Sequence, residues 1–279
     1  MELLQYTFFQ NALIGSLLAS IACGIIGTYI ITRRLVFISG GITHASFGGI
    51  GLGLWLGIPP LLSAALFSVL SAFGVEWLSK RHDTREDSAI AVFWTLGMAL
   101  GIIFSFLSPG FMPDLSAYLF GNILTITHSD LILLAVIALS LILFFGLFLH
   151  SIVCIAFDRE FAQSQQLPVT LIEYLLMMFI ALTIVACLRL VGIVLVISLL
   201  TLPQMTANLF CNSFKRIIGY SILFGWLSCL GGLMFAFYYN IPSGASIIFI
   251  SILIYVIAKI GKRIIKLRKK TIKPAITSL

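Results

Sequence analysis

Charged residues are scarce in this sequence. Asp, Glu, Lys and Arg make up only 10% of the 279 positions, whereas hydrophobic residues make up 60%. A soluble domain carries charge at about a quarter of its positions, because charged side chains cover its surface. Lipid requires no such covering, so the composition excludes an ordinary soluble fold. It predicts an all-α protein whose helices cross a membrane.

Several motifs of enzymes and metal centres are also absent. The five cysteines are scattered without a CxxC pair, which argues against a thiolate metal site or a disulfide framework and favours apolar packing. The sequence contains no GxxxxGK[ST] phosphate loop, no HExxH and no GxSxG. We therefore expect a chain that is not an enzyme, does not cradle ATP and holds no permanent cofactor.

Long apolar runs dominate what remains. A helix needs about 20 apolar residues to cross the hydrocarbon core. This length predicts nine spans, with eight possible, in a single transmembrane domain over residues 1–262. The predicted spans are residues 11–32, 36–57, 60–79, 89–108, 131–150, 168–187, 190–209, 217–239 and 243–262.

The basic residues predict the orientation of these spans. With the N-terminus outside, all of the 17 Lys and Arg residues except Arg189 fall on the inner side, as the positive-inside rule expects. The C-terminus is then cytoplasmic and ends in a basic tail, residues 263–279. The net charge of +7 is explained by this orientation and by contact with anionic lipid rather than by nucleic acid.

Acidic residues are missing from the middle of every predicted span. All ten map to helix ends or connections. Carriers driven by protons or sodium usually hold carboxylates inside the membrane. We therefore expect the driving force for any transport to come from another subunit.

Small residues recur at every fourth position of the second span: Gly41, Ala45, Gly49, Gly53 and Gly57. Such a stripe lets helix backbones approach closely. The pattern favours packing inside one protomer, and a subunit interface or a pore lining is the alternative.

His44 lies beside this stripe, about 12 Å into the span at the helical rise of 1.5 Å per residue. Ionisable side chains at such depth are costly and usually face a bundle interior or a cavity. A neutral imidazole also suits transition metals. His44 is thus either a candidate metal ligand or a hydrogen-bonded packing residue.

Two segments predicted on the inner side mix apolar and polar residues, residues 157–168 and 203–216. Pro203 suits the first turn of a new helix. Leu209, Phe210 and Phe214 would present an apolar edge there. Both segments are predicted docking surfaces, with a plain interfacial turn as the alternative.

On the outer side, residues 108–130 contain two prolines and two glycines and are only moderately hydrophobic. This composition predicts a loop with a short partial helix.

An ordered set of motifs resembles one known family. The motifs are RRLVFISGGITHASFGG, EDSAIAVFWTLGMALG, DLSAYLFGNIL, FDREFA, RLVGIVLVISLLTLPQMTA and IPSGASI, spread over residues 10–262. They are similar to the zinc/manganese/iron-type metal ABC transporter permeases. The resemblance implies a fold like that of the vitamin B12-type (type II) importers and a place in the bacterial inner membrane.

The resemblance also implies partners. These are a second copy of the chain, two cytoplasmic ATP-binding subunits and an extracytoplasmic metal-binding protein. Residues 203–216 would be the coupling helix that enters the ATPase. The implied contact residues are Pro203, Thr206, Ala207, Leu209, Phe210 and Phe214, with Phe157, Asp158 and Glu160 as a second inner contact.

One position departs from the family pattern. The family usually has an Asp four residues before its His, and here that position is Gly40. The resemblance implies that His44 is a metal ligand, with Asp114 or the His44 of a second copy as candidate replacements for the missing carboxylate. The expected function is ATP-driven import of zinc, manganese or iron ions along a dimer axis. A permease for a metal chelate such as a siderophore or cobalamin, or an ion-coupled carrier, remains open.

Overall fold

The computed structural model describes residues 6–81, 84–108 and 126–272, and every regular element in that part of the chain is helical. The helices are α1 (Thr7–Thr32), α2 (Val36–Leu56), α3 (Pro60–Arg81), α4 (Glu86–Leu107), α5 (His128–Phe157), α6 (Arg159–Ser164), α7 (Val169–Leu199), α8 (Leu202–Phe210), α9 (Phe214–Tyr239) and α10 (Ser243–Ile272). The expected all-α membrane fold is confirmed.

The predicted spans correspond to these helices, with shifted ends. Helix α5 begins three residues before the predicted span, because Thr127 and Asp130 form a capping box that satisfies the first backbone amides. Helix α10 continues to Ile272, past the predicted start of the basic tail at residue 263.

Within the described residues, eight helical segments are long and apolar enough to cross a membrane. Helix α2 is not among them although its 21 residues have the required length. Its glycines, hydroxyl side chains and His44 lower its hydropathy, and most of its residues are buried against other helices. Burial by protein explains how so polar a helix is accommodated in the bundle.

Helix α7 is interrupted at Gly192, which separates it into two helical parts. This residue has φ 73° and ψ 169°, a backbone conformation that glycine adopts readily. Ile193 packs in a cluster with Ile50 of α2, while Ile197 lies beside Gly40, nearer the start of α2. The chain thus runs up to Leu188 and returns alongside α2, in agreement with the two separate spans predicted here.

Helix α1 and the first part of α7 lie at the centre of the bundle together with α2. The most apolar windows of α1 and of this part of α7 are 72% and 67% buried, whereas those of α4 and α10 are only 22% buried. Helix α5 carries a stripe of exposed apolar residues at helical spacing: Ile132, Val136, Leu139, Leu143 and Leu147. Such a stripe is the surface that a peripheral helix presents to lipid.

Candidate functional site

Close contact between α2 and α4 is built from glycines on both helices. A Cβ atom added at Gly51 would lie 2.4 Å from the backbone oxygen of Gly101, and one added at Gly97 would lie 2.5 Å from Cα of Ala45. Real Cβ atoms do not approach other atoms so closely. The two backbones therefore touch, as small residues permit in membrane helices.

The predicted small-residue stripe does not face a single partner. Gly41 and Ala45 face α4, whereas Gly49 and Gly53 face α3, where the Ser63 hydroxyl donates to the carbonyl oxygen of Gly49. Gly57 ends α2 in a left-handed conformation with φ 69°. Residues four apart drift about 40° per step around a helix of 3.6 residues per turn, so a long stripe turns from one neighbour to another.

His44 is stacked on an aromatic ring of α4. Its imidazole lies parallel to the indole of Trp94, with ring centroids 4.5 Å apart and an interplanar angle of 7°. The residue is half-buried, and its Nδ1 atom is buried without a hydrogen-bond partner. The imidazole is thus oriented by the aromatic stack rather than by a hydrogen bond at Nδ1.

A cavity of about 690 Å³ lies next to this stack. Its wall is formed by residues of the α1–α2 turn, α2, α4 and α7: Arg34, Val36, Phe37, Gly40, Asp87, Trp94 and Ile197. Arg34 and Asp87 are exposed, whereas Gly40 is buried. The cavity therefore runs from a charged rim towards an apolar floor.

The described residues contain no group of three or more His, Cys, Asp or Glu side chains that could hold a metal ion. His44 therefore has no complete ligand set around it in one described protomer. Asp114, its proposed partner, lies outside the described residues. Cys23 and Cys187 approach to 3.8 Å between sulfur atoms, and both are buried free thiols.

Helix α8 presents one buried face and one exposed face. Pro203, Thr206 and Ala207 are buried, whereas Met205 and Phe210 are exposed. The buried face is anchored by Gln204, whose side-chain amide donates to the carbonyl oxygens of Cys23 and Leu199 at 2.7 and 3.0 Å. Pro203, Thr206 and Ala207 thus hold the helix in place, while its free surface lies on the opposite side.

The second docking segment is shorter than the sequence suggested. Helix α8 ends at Phe210, because Cys211 takes an extended conformation, and Phe214 is the first residue of α9. Phe214 is only 7% exposed and belongs to the hydrophobic core, so the expectation that it lies on the apolar edge is wrong. Leu209 is half-buried, and Phe210 is 53% exposed.

The first docking segment forms the short helix α6. Phe161 and Glu160 are exposed on this helix, and Phe157 and Asp158 are exposed just before it. The Asp158 carboxylate accepts a hydrogen bond from the backbone amide of Phe161 at 2.9 Å and so caps the helix. Asp158 therefore shapes this surface, and the two phenylalanine rings form its apolar part.

A buried carboxylate joins α6 to the bundle. Glu173, at the start of α7, is 1% exposed and lies within ion-pairing distance of Arg33 (3.6 Å), Arg159 (3.3 Å) and Lys80. Lys80 also pairs with the buried Glu76 of α3. We call these five residues the Glu173 cluster and their side of the molecule the charged end. In the sequence all five residues lie at or near the ends of predicted helices, but no pattern in the sequence indicates that they pair with one another.

These features define a class, a multi-pass helical membrane protein with two amphipathic surfaces beside the bundle. A comparison with known protein families identifies the family within this class. The family described as the ABC 3 transport family matches residues 5–262, and the chain belongs to it.

Two relatives and one solved structure support this assignment. The chain is 38% identical to an uncharacterized membrane protein, slr2045, of Synechocystis over 94% of its own length and 93% of the relative's. It is 34% identical to the manganese transport system membrane protein MntC of Halalkalibacterium halodurans over 92% and 88% of the two chains. The structure of PsaBC from Streptococcus pneumoniae in complex with Fab matches with a TM-score of 0.83 and 29% identity, covering 95% and 97%. The protein is thus a multi-pass protein of the bacterial inner membrane.

Proposed function

We propose that this chain is the membrane-spanning subunit of an ATP-driven importer for a divalent transition-metal ion, with manganese as the first candidate. The observation that carries the proposal is the similarity to a manganese transport membrane protein over nearly the whole of both chains. Zinc and iron stay as alternatives, because one imidazole does not discriminate among these ions.

In this proposal the ion passes His44 along the axis of a dimer. A second copy would bring a second imidazole to the same axis and so enlarge the ligand set that one protomer offers. Few ligands suit a transport path, since the ion has to leave again. The cavity beside Trp94 would then be part of the route on the charged side.

The charged end faces the cytoplasm in this proposal, and separate ATP-binding subunits dock there on α6 and α8. Both helices expose phenylalanine rings, Phe161 and Phe210, that suit an apolar groove. The Glu173 cluster ties α6 to α1, α3 and α7, so movement of a docked subunit would reach the bundle directly. An extracytoplasmic protein would deliver the ion at the opposite end.

Uptake of Mn²⁺ by cells or proteoliposomes containing the permease and its ATPase tests the proposal. His44→Ala is expected to lower uptake about tenfold or more, which corresponds to the loss of one ligand worth about 1.4 kcal/mol, without lowering the amount of protein in the membrane. His150→Ala is the matched control, because His150 is exposed on α5. Unchanged uptake in His44→Ala would remove this residue from the path, and uptake driven by a gradient without ATPase would contradict the ATP-driven mechanism.

A further inference from the structure

Trp94 lies between the cavity and His44. The indole lines the cavity floor, and the imidazole is stacked parallel to it at 4.5 Å. His44 is not one of the described residues that line this cavity. Within one protomer, an ion in the cavity would therefore meet the indole before it meets the imidazole.

The indole packs against residues of α2. Gly40 lies directly beside the ring: a Cβ atom built there would lie 3.6 Å from Cζ3 of Trp94, in ordinary van der Waals contact. The ring of Phe37 leans on the indole with centroids 5.4 Å apart, and Ile197 of α7 lies beside Gly40. The ring is thus packed against α2, while its half-exposed remainder borders the cavity.

We propose that Trp94 is the gate that closes the path between the cavity at the charged end and His44. The indole covers one face of the imidazole in the closed state and swings away when α4 shifts against α2 or α7. This inference rests on the proposed function for its purpose, but the covering of position 44 by the indole is a separate property of the fold.

A cysteine accessibility measurement tests the gate without any transported ion. His44→Cys introduces a thiol at the covered position, and its reaction with a small charged methanethiosulfonate reagent is followed in the full-length protein in nanodiscs. The same chain with His44 gives the background from the native cysteines. Trp94→Ala is expected to speed labelling about tenfold or more, since a covered site reacts only through a minor open state.

Trp55→Ala is the matched control, because Trp55 stacks on Phe104 between the same two helices at the other end of their contact. It is expected to change labelling less than about twofold. Trp94→Leu keeps an apolar side chain but removes the aromatic ring. It replaces Trp94→Ala if that variant does not accumulate in the membrane, and it is expected to speed labelling several-fold. Labelling that stays the same in the Trp94 variants, or that rises equally in Trp55→Ala, would overturn the gate.

A leak measurement with native His44 completes the test. Proteoliposomes loaded with Mn²⁺ and lacking ATP are expected to lose the ion several-fold faster with Trp94→Ala than with Trp55→Ala. If labelling rises in Trp94→Ala while His44→Ala leaves uptake unchanged, the gate is present and the proposed ion path is wrong. If labelling and leak both stay at the level of the unmodified chain, the gate is wrong whatever His44 does.

Discussion

The charged end and the contact between α2 and α4 join helices by opposite means. At the charged end, three long basic side chains, Arg33 just after α1, Lys80 on α3 and Arg159 on α6, meet at the single carboxylate of Glu173. Between α2 and α4, the absence of side chains lets backbones touch. The first arrangement depends on which charge is present, whereas the second depends on volume alone. Each therefore fails under a different kind of substitution.

The largest effect is expected from Glu173→Gln. This change keeps the volume but removes the ion pairs of Arg33 and Arg159 and leaves Lys80 paired with Glu76 alone. Removal of one member of a buried ion pair costs about 3–5 kcal/mol. We expect a marked loss of thermal stability and of membrane abundance. Thermal unfolding of the purified protein, followed by size-exclusion chromatography, measures this.

Glu160→Gln is the matched control, since Glu160 is exposed on α6. Its stability should change by less than about 0.5 kcal/mol. Equal melting temperatures for the two variants would show that the Glu173 cluster contributes no stability.

A smaller loss is expected from Gly101→Ala. The added methyl group would lie 2.7 Å from the backbone oxygen of Phe47, so the helices have to separate. Such overpacking costs about 1–3 kcal/mol. The same substitution at Gly146, where no atom lies within 4 Å of the new Cβ, should be neutral or slightly stabilising. If both alanine variants melt alike, close backbone approach is not what joins α2 to α4.

The smallest stability effect, with a specific functional one, is expected from Phe210→Ala. The ring is 53% exposed on α8 and touches Phe224 at a centroid distance of 6.1 Å, so little core packing is lost. If α8 docks on an ATPase, the variant should fold normally but bind the ATP-binding subunit about tenfold more weakly, as expected for an aromatic anchor worth 1–2 kcal/mol.

Co-purification with the ATP-binding subunit measures that binding. Phe106→Ala is the control, because Phe106 is 74% exposed at the end of α4. An unchanged yield of the complex with Phe210→Ala would contradict a docking role for this ring.

The positions of the helices could be predicted because membrane spanning demands long apolar runs, and these are visible in a single sequence. A break between two spans is predicted here as well, at residues 188–189, a few residues before the observed break at Gly192. The neighbours of each helix could not be predicted. Glu173 pairs with three basic side chains only because α1 and α3 end and α6 begins beside it. That depends on how the helices pack rather than on local sequence.

The candidate site was predicted in part. His44 was identified from its depth in the second span, but the stack on Trp94 was missed because the two residues are 50 positions apart. A tryptophan in a predicted span gives no signal of its partner. Phe214 was assigned to the docking surface because segment 203–216 was treated as one helix, and the break at Cys211 returns this ring to the core.

The polarity of α2 has a consequence for how the protein is made. During synthesis α2 leaves the ribosome before α3 and α4, the helices that cover its glycines. Until they follow, His44 and the hydroxyl side chains of α2 would face lipid, where polar groups are costly. Insertion of α2 is therefore a cooperative event that is completed only when α4 arrives. Substitutions in α4 that weaken its contact with α2 without changing its own hydropathy would then reduce the yield of chains that are correctly inserted during synthesis.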